Sequence, residues 1–186
     1  HTYAKYGGEI LKQPGMQAWQ IFDAKSTPLL RSEYFIRRTT KAEANSLEEL
    51  AEKLDGVNPR KFLQTIKAFN DACDASTTFN PNVLDGKATQ GLTINKTNWA
   101  CPIDTPPFHA YHVTTGVTFT FGGVKVTTKA QVENIFGGSI PGLFAAGEMV
   151  GGLFYHNYAS GTGLMSGATF GRIAGTSAVE FMGSNQ

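Results

Sequence analysis

The sequence predicts a mixed fold, α+β in its first part and α/β in its second. Two helical segments with clear caps lie between residues 46 and 74, and short runs of strand composition flank them. An apolar run at 143–146 then leads through a glycine-rich loop into a long helix. The 186 residues, of which 41% are hydrophobic, suffice for one full domain or two small ones.

The two helices are marked by their first residues. Ser46 and Glu49 form a capping box, in which the Ser46 hydroxyl accepts from the Glu49 N–H and the Glu49 carboxylate reaches back to the Ser46 N–H. This helix is predicted over Leu47–Leu54. Asn58 and Pro59 provide the N-cap and the first-position proline of the second helix. Its apolar stripe, predicted to be core, consists of Phe62, Ile66, Phe69 and Cys73.

Strand composition recurs before and after these helices. The runs are Ala18–Phe22, Glu33–Thr39, Ala110–Val113, Val117–Phe121 and Val124–Thr127. Gly122 and Gly123 are predicted to form a tight turn between the last two runs. The polar, turn-rich stretch 75–107 marks the domain boundary. We therefore expect one domain over residues 1–105 and a second over residues 106–186.

Charge and cysteine content exclude several classes of function. The net charge is +1 and there is no basic run, so we expect no nucleic-acid binding. The longest uncharged stretch, 149–171, is too polar for membrane insertion. His109 and His112 have no third ligand nearby, and we expect no metal site. Cys73 and Cys101 form no metal or redox motif and indicate a reducing, cytoplasmic location, although the sequence leaves a single disulfide open.

The segment Gly142–Gly175 is where the sequence points to a site. Glycines four residues apart fall on nearly one face of the predicted helix, at positions 163, 167, 171 and 175. Because each glycine inside a helix costs about 1 kcal/mol relative to alanine, we expect Gly171 and Gly175 to pack closely on a sheet. Gly161 and Gly163 lie where the helix begins, and N–H groups there favour a ligand with negative charge.

Common nucleotide and nucleophile motifs do not fit this segment. The glycines at 161, 163 and 167 are one residue out of register with the dinucleotide fingerprint, and the strand before them ends too early, near Ala146. No Gly-x-Ser-x-Gly elbow is present. The residues alone therefore predict a polar or anionic ligand at a helix N-terminus, with Glu148 placed to accept hydrogen bonds from a hydroxylated ligand.

Several separated motifs together resemble a known family. They are Phe144–Glu148, Gly151-Gly152, the loop Asn157–Gly161, the run Phe170–Gly175 and the upstream Gly122-Gly123. This set is similar to the carboxy-terminal, flavin-contacting segment of the fumarate reductase/succinate dehydrogenase flavoprotein family. Residues 18–23 and 46–74 resemble part of its capping domain. Tricarballylate dehydrogenase-like members are the most similar, through Thr2–Tyr6, Ala18–Asp23, Phe119–Gly123 and Leu153–Tyr158.

The resemblance implies a bound FAD. Glu148 would accept hydrogen bonds from ribityl or ribose hydroxyls, and backbone N–H groups of residues 161–164 would face the flavin pyrimidine edge, where the helix dipole stabilises negative charge. The implied cofactor contacts are Gly147, Glu148, Asn157, Ser160, Gly161, Thr162, Gly163 and Leu164. The family reaction is hydride transfer between a C–C bond of a carboxylate or ketone substrate and flavin N5, while an acid or base moves the second proton.

Two positions depart from the fumarate reductase pattern. Phe119 stands where those enzymes have a substrate-binding histidine, and Tyr158 stands where they have an arginine. A dicarboxylate needs such donors, so these departures argue against fumarate or succinate. Some ketosteroid dehydrogenases of the superfamily resemble this loop, with Tyr and Ser at the places of Tyr158 and Ser160.

Tyr158 is therefore the first candidate to donate or accept the proton, and His156 is the second. The alternative for Tyr158 is a packing role that closes the flavin pocket. Arginines at positions 31, 37 and 38 lie in the capping region and could reach a carboxylate, but no motif singles one of them out.

The family's amino-terminal glycine fingerprint, which binds the ADP part of FAD, is not in this sequence. The first residues lack an initiator methionine and look like a cut inside a longer chain. We therefore expect a missing amino-terminal half, or a second chain, as the partner, and we expect the isolated fragment to be inactive. The alternative is a non-catalytic truncated fragment or partner-binding module that does not hold flavin alone.

Overall fold

The computed structural model describes residues 6–184, so the Thr2–Tyr6 motif lies outside the described residues except for Tyr6. The chain divides into two compact units. The central unit is Gln17–Val113, and the flanking unit combines the described residues up to Met16 with those from Thr114 onward. The predicted division into a capping domain (1–105) and an FAD-binding segment (106–186) is one of function, which the compactness of the two units does not test. It stays a prediction.

The central unit is built on a three-stranded sheet. Its strands are β1 (Gln17–Phe22), β2 (Lys41–Ala44) and β3 (Phe108–Thr114), and their spatial order is β1-β3-β2. β2 and β3 are antiparallel, with Ala42 opposite Ala110. The predictions of strands at 18–22 and 110–113 are confirmed, with slightly longer bounds.

Two helices cover this sheet's apolar side, and their predicted caps are confirmed. α2 spans Leu47–Glu52 and α3 spans Pro59–Ala72. The Ser46 hydroxyl accepts from the Glu49 N–H at 3.1 Å, and the Asn58 side chain accepts from the Lys61 N–H at 3.0 Å. The reciprocal half of the capping box differs, because the Glu49 carboxylate accepts from the N–H of Asn45 rather than of Ser46.

The core of the central unit lies between the sheet and the helices. Its buried side chains are Ala44, Leu50, Ala51, Leu54, Phe62, Ile66, Phe108 and Ala110. The predicted stripe of α3 is buried at Phe62 and Ile66 but only half-buried at Phe69 and Cys73, since the helix ends there and the chain turns into an extended loop. Cys73 and Cys101 are both free thiols.

The Ser46 cap provides a stability test for this unit. We expect Ser46→Ala to lower the free energy of unfolding by about 1 kcal/mol, because the Glu49 N–H loses its acceptor at the start of α2. Urea unfolding followed by circular dichroism measures this loss. Ser32→Ala is the matched control, because the Ser32 hydroxyl has only a long, exposed contact of 3.5 Å to Glu33. Equal stability of the two variants would contradict the capping role.

Two predicted strands are wrong, and a third, Val124–Thr127, is present only as isolated bridges at Val124 and Val126. Within Glu33–Thr39 the chain instead forms a short 3₁₀ helix at Ser32–Phe35. Val117–Phe121 forms neither helix nor strand. The rings of Phe119 and Phe121 contact each other, with centroids 5.8 Å apart.

The flanking unit contains two helices and a two-stranded antiparallel hairpin. The helices are α1 (Tyr6–Leu11) and α4 (Thr162–Ser184), and the strands are β4 (Gln131–Glu133) and β5 (Ser139–Phe144). The predicted long helix is confirmed as α4, and it contacts β5 through the rings of Phe181 and Phe144. A small buried cluster of Val132, Ala145 and Val150 lies beside Val124 and Val126.

The expected close packing of Gly171 and Gly175 is wrong for this chain. A Cβ built at either glycine would meet no atom of the described residues within 4 Å. α4 has no buried residue at all, although it carries exposed apolar side chains such as Leu164 and Met165. The helix face at Gly171 and Gly175 is therefore open among the described residues, whereas a Cβ at Gly163 would meet Tyr158.

Residues 6–184, which the structure describes, contain neither a membrane-spanning helix nor a metal-binding cluster of side chains. No helix there has the length and apolar character needed to cross a membrane. No group of three or more His, Cys, Asp or Glu side chains there is arranged to hold a metal ion.

Candidate functional site

A cavity of about 290 Å³ lies within the flanking unit, between the loop after β5, the segment 118–120 and the start of α4. Its lining residues are Thr118, Phe119, Thr120, Gly147, Glu148, Val150, Phe154, Tyr158, Gly163, Leu164 and Ser166. None of them is Lys, Arg or His. This volume is at the lower end of the range for ligand pockets, so it suits a ring-sized part of a ligand.

One wall of the cavity is an aromatic cluster centred on Tyr158. This side chain is 8% exposed. Its ring centroid lies 4.6 Å from that of Phe119 and 5.1 Å from that of Phe154, both in tilted or edge contacts. Such clusters offer a flat, apolar surface on which another ring can pack.

The hydroxyl of Tyr158 is fixed by the start of α4. It accepts a hydrogen bond from the Gly163 N–H at 3.0 Å, so it satisfies one of the N–H groups that a helix leaves unpaired at its N-terminus. The hydroxyl keeps its own proton for donation to a neighbour. A Cβ on Gly163 would lie 3.0 Å from this oxygen, which explains why glycine suits that position.

The rest of the α4 N-terminus is arranged around a tight turn. Gly161 has a φ of +83°, which favours glycine. The Thr162 N–H donates to the carbonyl of Ala159 at 3.1 Å. Among the described residues, the N–H of Leu164 has no acceptor. This N–H, together with the positive end of a 23-residue helix, suits a ligand edge that carries negative charge.

A carboxylate lies on the side of the cavity where β5 ends. Gly147, with a φ of +84°, turns the chain after the strand and presents Glu148. One Glu148 carboxylate oxygen, Oε1, accepts from the Thr120 N–H at 3.1 Å. The side chain is otherwise exposed and lines the cavity, so it can also accept from ligand hydroxyl groups.

The structure gathers half of the residues that the sequence singled out. Those lining the cavity are Gly147, Glu148, Tyr158, Gly163 and Leu164. Those outside its lining are His156, Asn157, Ser160, Gly161 and Thr162. His156 is exposed, has a φ of +60° and places its ring 4.2 Å from that of Tyr155. Asn157 and Ser160 are exposed on the same loop.

Sequence reasoning missed several lining residues, namely Thr118, Thr120, Val150, Phe154 and Ser166. Phe154 carried a usable signal, since it is one of several aromatic residues clustered before the helix. Thr118 and Thr120 carried a signal only through the resemblance, since they flank Phe119 at the position of the substrate-binding histidine. Ser166 lies one turn into α4, where nothing in its neighbours marks it.

Together these features suit a flat aromatic ligand with a polar edge and hydroxyl groups. A ligand ring can pack on the aromatic wall, its polar edge can lie at the α4 N-terminus, and its hydroxyl groups can donate to Glu148. This is the chemistry that the flavin and ribityl parts of FAD present.

Comparison with known proteins agrees with this chemistry. The family model described as an FAD binding domain matches residues 6–164. A fumarate reductase (cytochrome) of Shewanella frigidimarina is 31% identical over 185 residues, which cover 99% of this chain and 30% of that protein. The chain thus spans about 30% of the length of this curated relative.

Solved structures give the same picture. The open conformation of a flavocytochrome c3 fumarate reductase matches with a TM-score of 0.68 and 28% identity, over 97% of this chain and 30% of that one. The 3-ketosteroid Δ1-dehydrogenase of Sterolibacterium denitrificans matches with a TM-score of 0.69 and 25% identity, over 96% of this chain and 36% of that one. The chain belongs to the FAD-binding flavoprotein family of the fumarate reductase and succinate dehydrogenase type.

Proposed function

We propose that this chain is the carboxy-terminal part of an FAD-dependent oxidoreductase that acts on a C–C bond beside a carbonyl or carboxylate group. The observation that carries the proposal is the cavity whose aromatic wall is centred on Tyr158, which is hydrogen-bonded to the N-terminus of α4, with Glu148 at the other side. When bound, FAD supplies the hydride donor or acceptor of the reaction.

The residues that would hold the flavin are those at the two ends of the cavity. Glu148 accepts from ribityl or ribose hydroxyls, and the N–H of Leu164 faces the pyrimidine edge, beside the Gly163 N–H that donates to Tyr158. Asn157, Ser160, Gly161 and Thr162 lie outside the cavity lining, shape the loop that leads into α4 and are proposed to contact the parts of FAD that extend beyond the cavity. The positive end of the helix stabilises negative charge on the reduced ring.

Tyr158 is the proposed proton donor or acceptor. Its oxygen is held 3.0 Å from the Gly163 nitrogen, which fixes the position of the hydroxyl oxygen relative to the cavity. His156 is the second candidate, and it needs a movement of its exposed loop to reach the cavity. A purely packing role for Tyr158 predicts that removal of its hydroxyl leaves turnover unchanged.

The substrate is proposed to be a carboxylate or a ketone, as in tricarballylate dehydrogenase-like proteins. Phe119 and Tyr158 line the cavity where fumarate reductases are expected to have cationic donors, and no cation lines it. A small carboxylate would therefore need a charge from outside this lining, whereas a ketone finds a hydroxyl and a helix N-terminus within it. The similarity to a ketosteroid dehydrogenase supports the ketone alternative.

A further polypeptide segment is proposed as the partner. α4 has no buried residue, and its face at Gly171 and Gly175 is open among the described residues. A missing amino-terminal half, or a second chain, that covers this face would also supply the ADP-binding part of the site. The alternative is a non-catalytic module that folds but holds no flavin.

Substitution of Tyr158 in the flavin-loaded protein tests the proposal. We expect Tyr158→Phe to lower turnover of an α,β-unsaturated carbonyl substrate by about 10²-fold or more, because the proton donor is lost, while the flavin absorption per protein stays unchanged. Tyr155→Phe is the matched control, because Tyr155 is 83% exposed and does not line the cavity.

Two other results would count against the proposal. No retained flavin after gel filtration, in this chain or in a longer protein that contains it, would support the non-catalytic module. Full turnover in Tyr158→Phe with a large loss in His156→Ala would move the proton-transfer role to His156.

A further inference from the structure

The segment 117–121 forms a wall of the cavity without belonging to a strand or helix. Within the described residues, a single hydrogen bond holds a backbone N–H of this segment, and it runs from Thr120 to the Glu148 carboxylate at 3.1 Å. The Thr120 hydroxyl donates locally, to the carbonyl of Gly122 at 3.1 Å. The Glu148 side chain, which reaches the wall from the end of β5, thus holds its main chain at Thr120.

The aromatic face of the cavity depends on the same segment. Phe119 and Phe121 project from it and contact the Tyr158 ring, with centroid distances of 4.6 Å and 6.5 Å. A shift of the main chain at Thr120 would move the two phenyl rings on either side of it. A change in the hydrogen bond between Glu148 and Thr120 would therefore move the rings that form the surface on which a ligand ring would pack.

We infer that Glu148 is a positioning residue, which holds the wall 117–121 through the Thr120 N–H. A ligand that contacts its carboxylate would thereby also fix the positions of the Phe119 and Phe121 rings. The carboxylate has two oxygens and about four lone-pair directions, enough for the Thr120 N–H and a ligand hydroxyl at once. The part of this inference that concerns the flavin hydroxyls rests on the proposed function; the part that concerns the wall does not.

Amide hydrogen exchange of the 186-residue chain, without any ligand, tests the positioning role. We expect Glu148→Ala to speed exchange of the Thr120 amide about tenfold, because its charged acceptor is removed. Glu148→Gln keeps an acceptor of the same shape and should restore most of the protection. Glu133→Gln is the control for loss of one negative charge, because Glu133 pairs with Lys125 outside the cavity lining.

A second measurement follows the positions of the aromatic rings in the cavity wall. Proton NMR of the Phe119 and Phe121 rings should show shifts in Glu148→Ala that Glu148→Gln does not show, since ring-current effects of Tyr158 depend on their relative placement. Unchanged exchange at Thr120 and unchanged ring shifts in Glu148→Ala, in a variant that keeps its circular dichroism spectrum, would overturn the inference.

Titration with FAD separates this inference from the proposed function. If FAD binds, Glu148→Ala should weaken the binding and FAD should slow Thr120 exchange in the wild-type chain but not in Glu148→Ala. Bound FAD that leaves Thr120 exchange unaltered would overturn the link between ligand and wall. If the 186-residue chain binds no FAD, the missing partner segment is needed for binding and the proposed function must be tested in the longer protein, while the ligand-free exchange data still decide the role of Glu148.

Discussion

Replacement of Gly123 by alanine is expected to destabilise the flanking unit by about 3 to 5 kcal/mol. A Cβ on Gly123 would lie 2.2 Å from the carbonyl oxygen of Met149 and 2.7 Å from the nitrogen of Gly151. Both are backbone atoms, so no flexible side chain can move away to make room. Urea unfolding followed by the fluorescence or circular dichroism of the chain measures the loss.

The reason for this close approach is a parallel bridge between two segments. The Val124 N–H donates to the Met149 carbonyl at 2.8 Å, and the Gly151 N–H donates to the Val124 carbonyl at 3.1 Å. These bonds fix residues 149–151 directly after Glu148. Forcing the segments apart at Gly123 therefore also displaces the cavity, and we expect Gly123→Ala to weaken flavin binding as well as stability.

Gly122→Ala is the matched control for this substitution. A Cβ there would meet nothing within 4 Å, so we expect a change within about 0.5 kcal/mol. Gly151→Ala should behave like Gly123→Ala, because its Cβ would lie 2.5 Å from the Gly123 nitrogen. The double variant with alanine at both positions should lose less stability than the sum of the two single losses. The reason is that one separation of the two backbone segments relieves both clashes. Equal stability of Gly122→Ala and Gly123→Ala would contradict the close approach.

The features that the sequence predicted correctly are local ones. The caps at Ser46 and Asn58 involve atoms three residues apart, so residue types alone specify them. The helix from Thr162 onward and the strand at Gln17–Phe22 follow from short-range composition. Gly147, Glu148 and Gly163 came together in one cavity because strand end and helix start are separated by a single loop.

The features that the sequence could not predict depend on distant partners. Gly122-Gly123 reads as a tight turn, but Gly123 is needed because the chain around Gly151 passes against it. The run 117–121 has strand composition, yet no strand lies beside it among the described residues and its rings pack on Tyr158. The face at Gly171 and Gly175 has the spacing of a packed helix, but nothing in the described part of the chain covers it.

Asp23 provides the second large effect, in the central unit. Its side chain is 1% exposed. Oδ1 accepts from the Ser26 hydroxyl at 2.9 Å and from the N–H groups of Lys25 and Ser26 at 3.1 Å. Oδ2 lies 3.2 Å from the Lys25 ammonium and accepts from the Asp104 and Thr105 N–H groups at 3.4 and 3.3 Å. One buried carboxylate thus joins the end of β1 to the loop before β3.

We expect Asp23→Ala to lower the free energy of unfolding by about 3 kcal/mol or more, because several buried donors lose their acceptor together. Asp23→Asn should lose a comparable amount of stability, since its amide NH₂ group would face N–H donors where the carboxylate had an acceptor oxygen. Asp71→Asn is the control: Asp71 pairs with Lys67 at 2.6 Å on an exposed helix face, and its loss should be unmeasurable. Urea unfolding at neutral pH compares the three variants.

The pH dependence of this effect has a definite sign. Burial raises the pKa of the Asp23 carboxyl, but the hydrogen bonds from Ser26 and Lys25 outweigh it and hold the pKa below its ordinary value of 3.8. A carboxyl whose pKa is lowered by folding stabilises the protein above its unfolded pKa and loses that contribution as pH falls through the folded pKa. The stability gap between wild type and Asp23→Ala should therefore stay constant from neutral pH down to about 5 and shrink below about 4. A gap that widens on acidification would mean that Asp23 is held protonated in the fold, and that its hydroxyl donates to the loop instead of its carboxylate accepting from it.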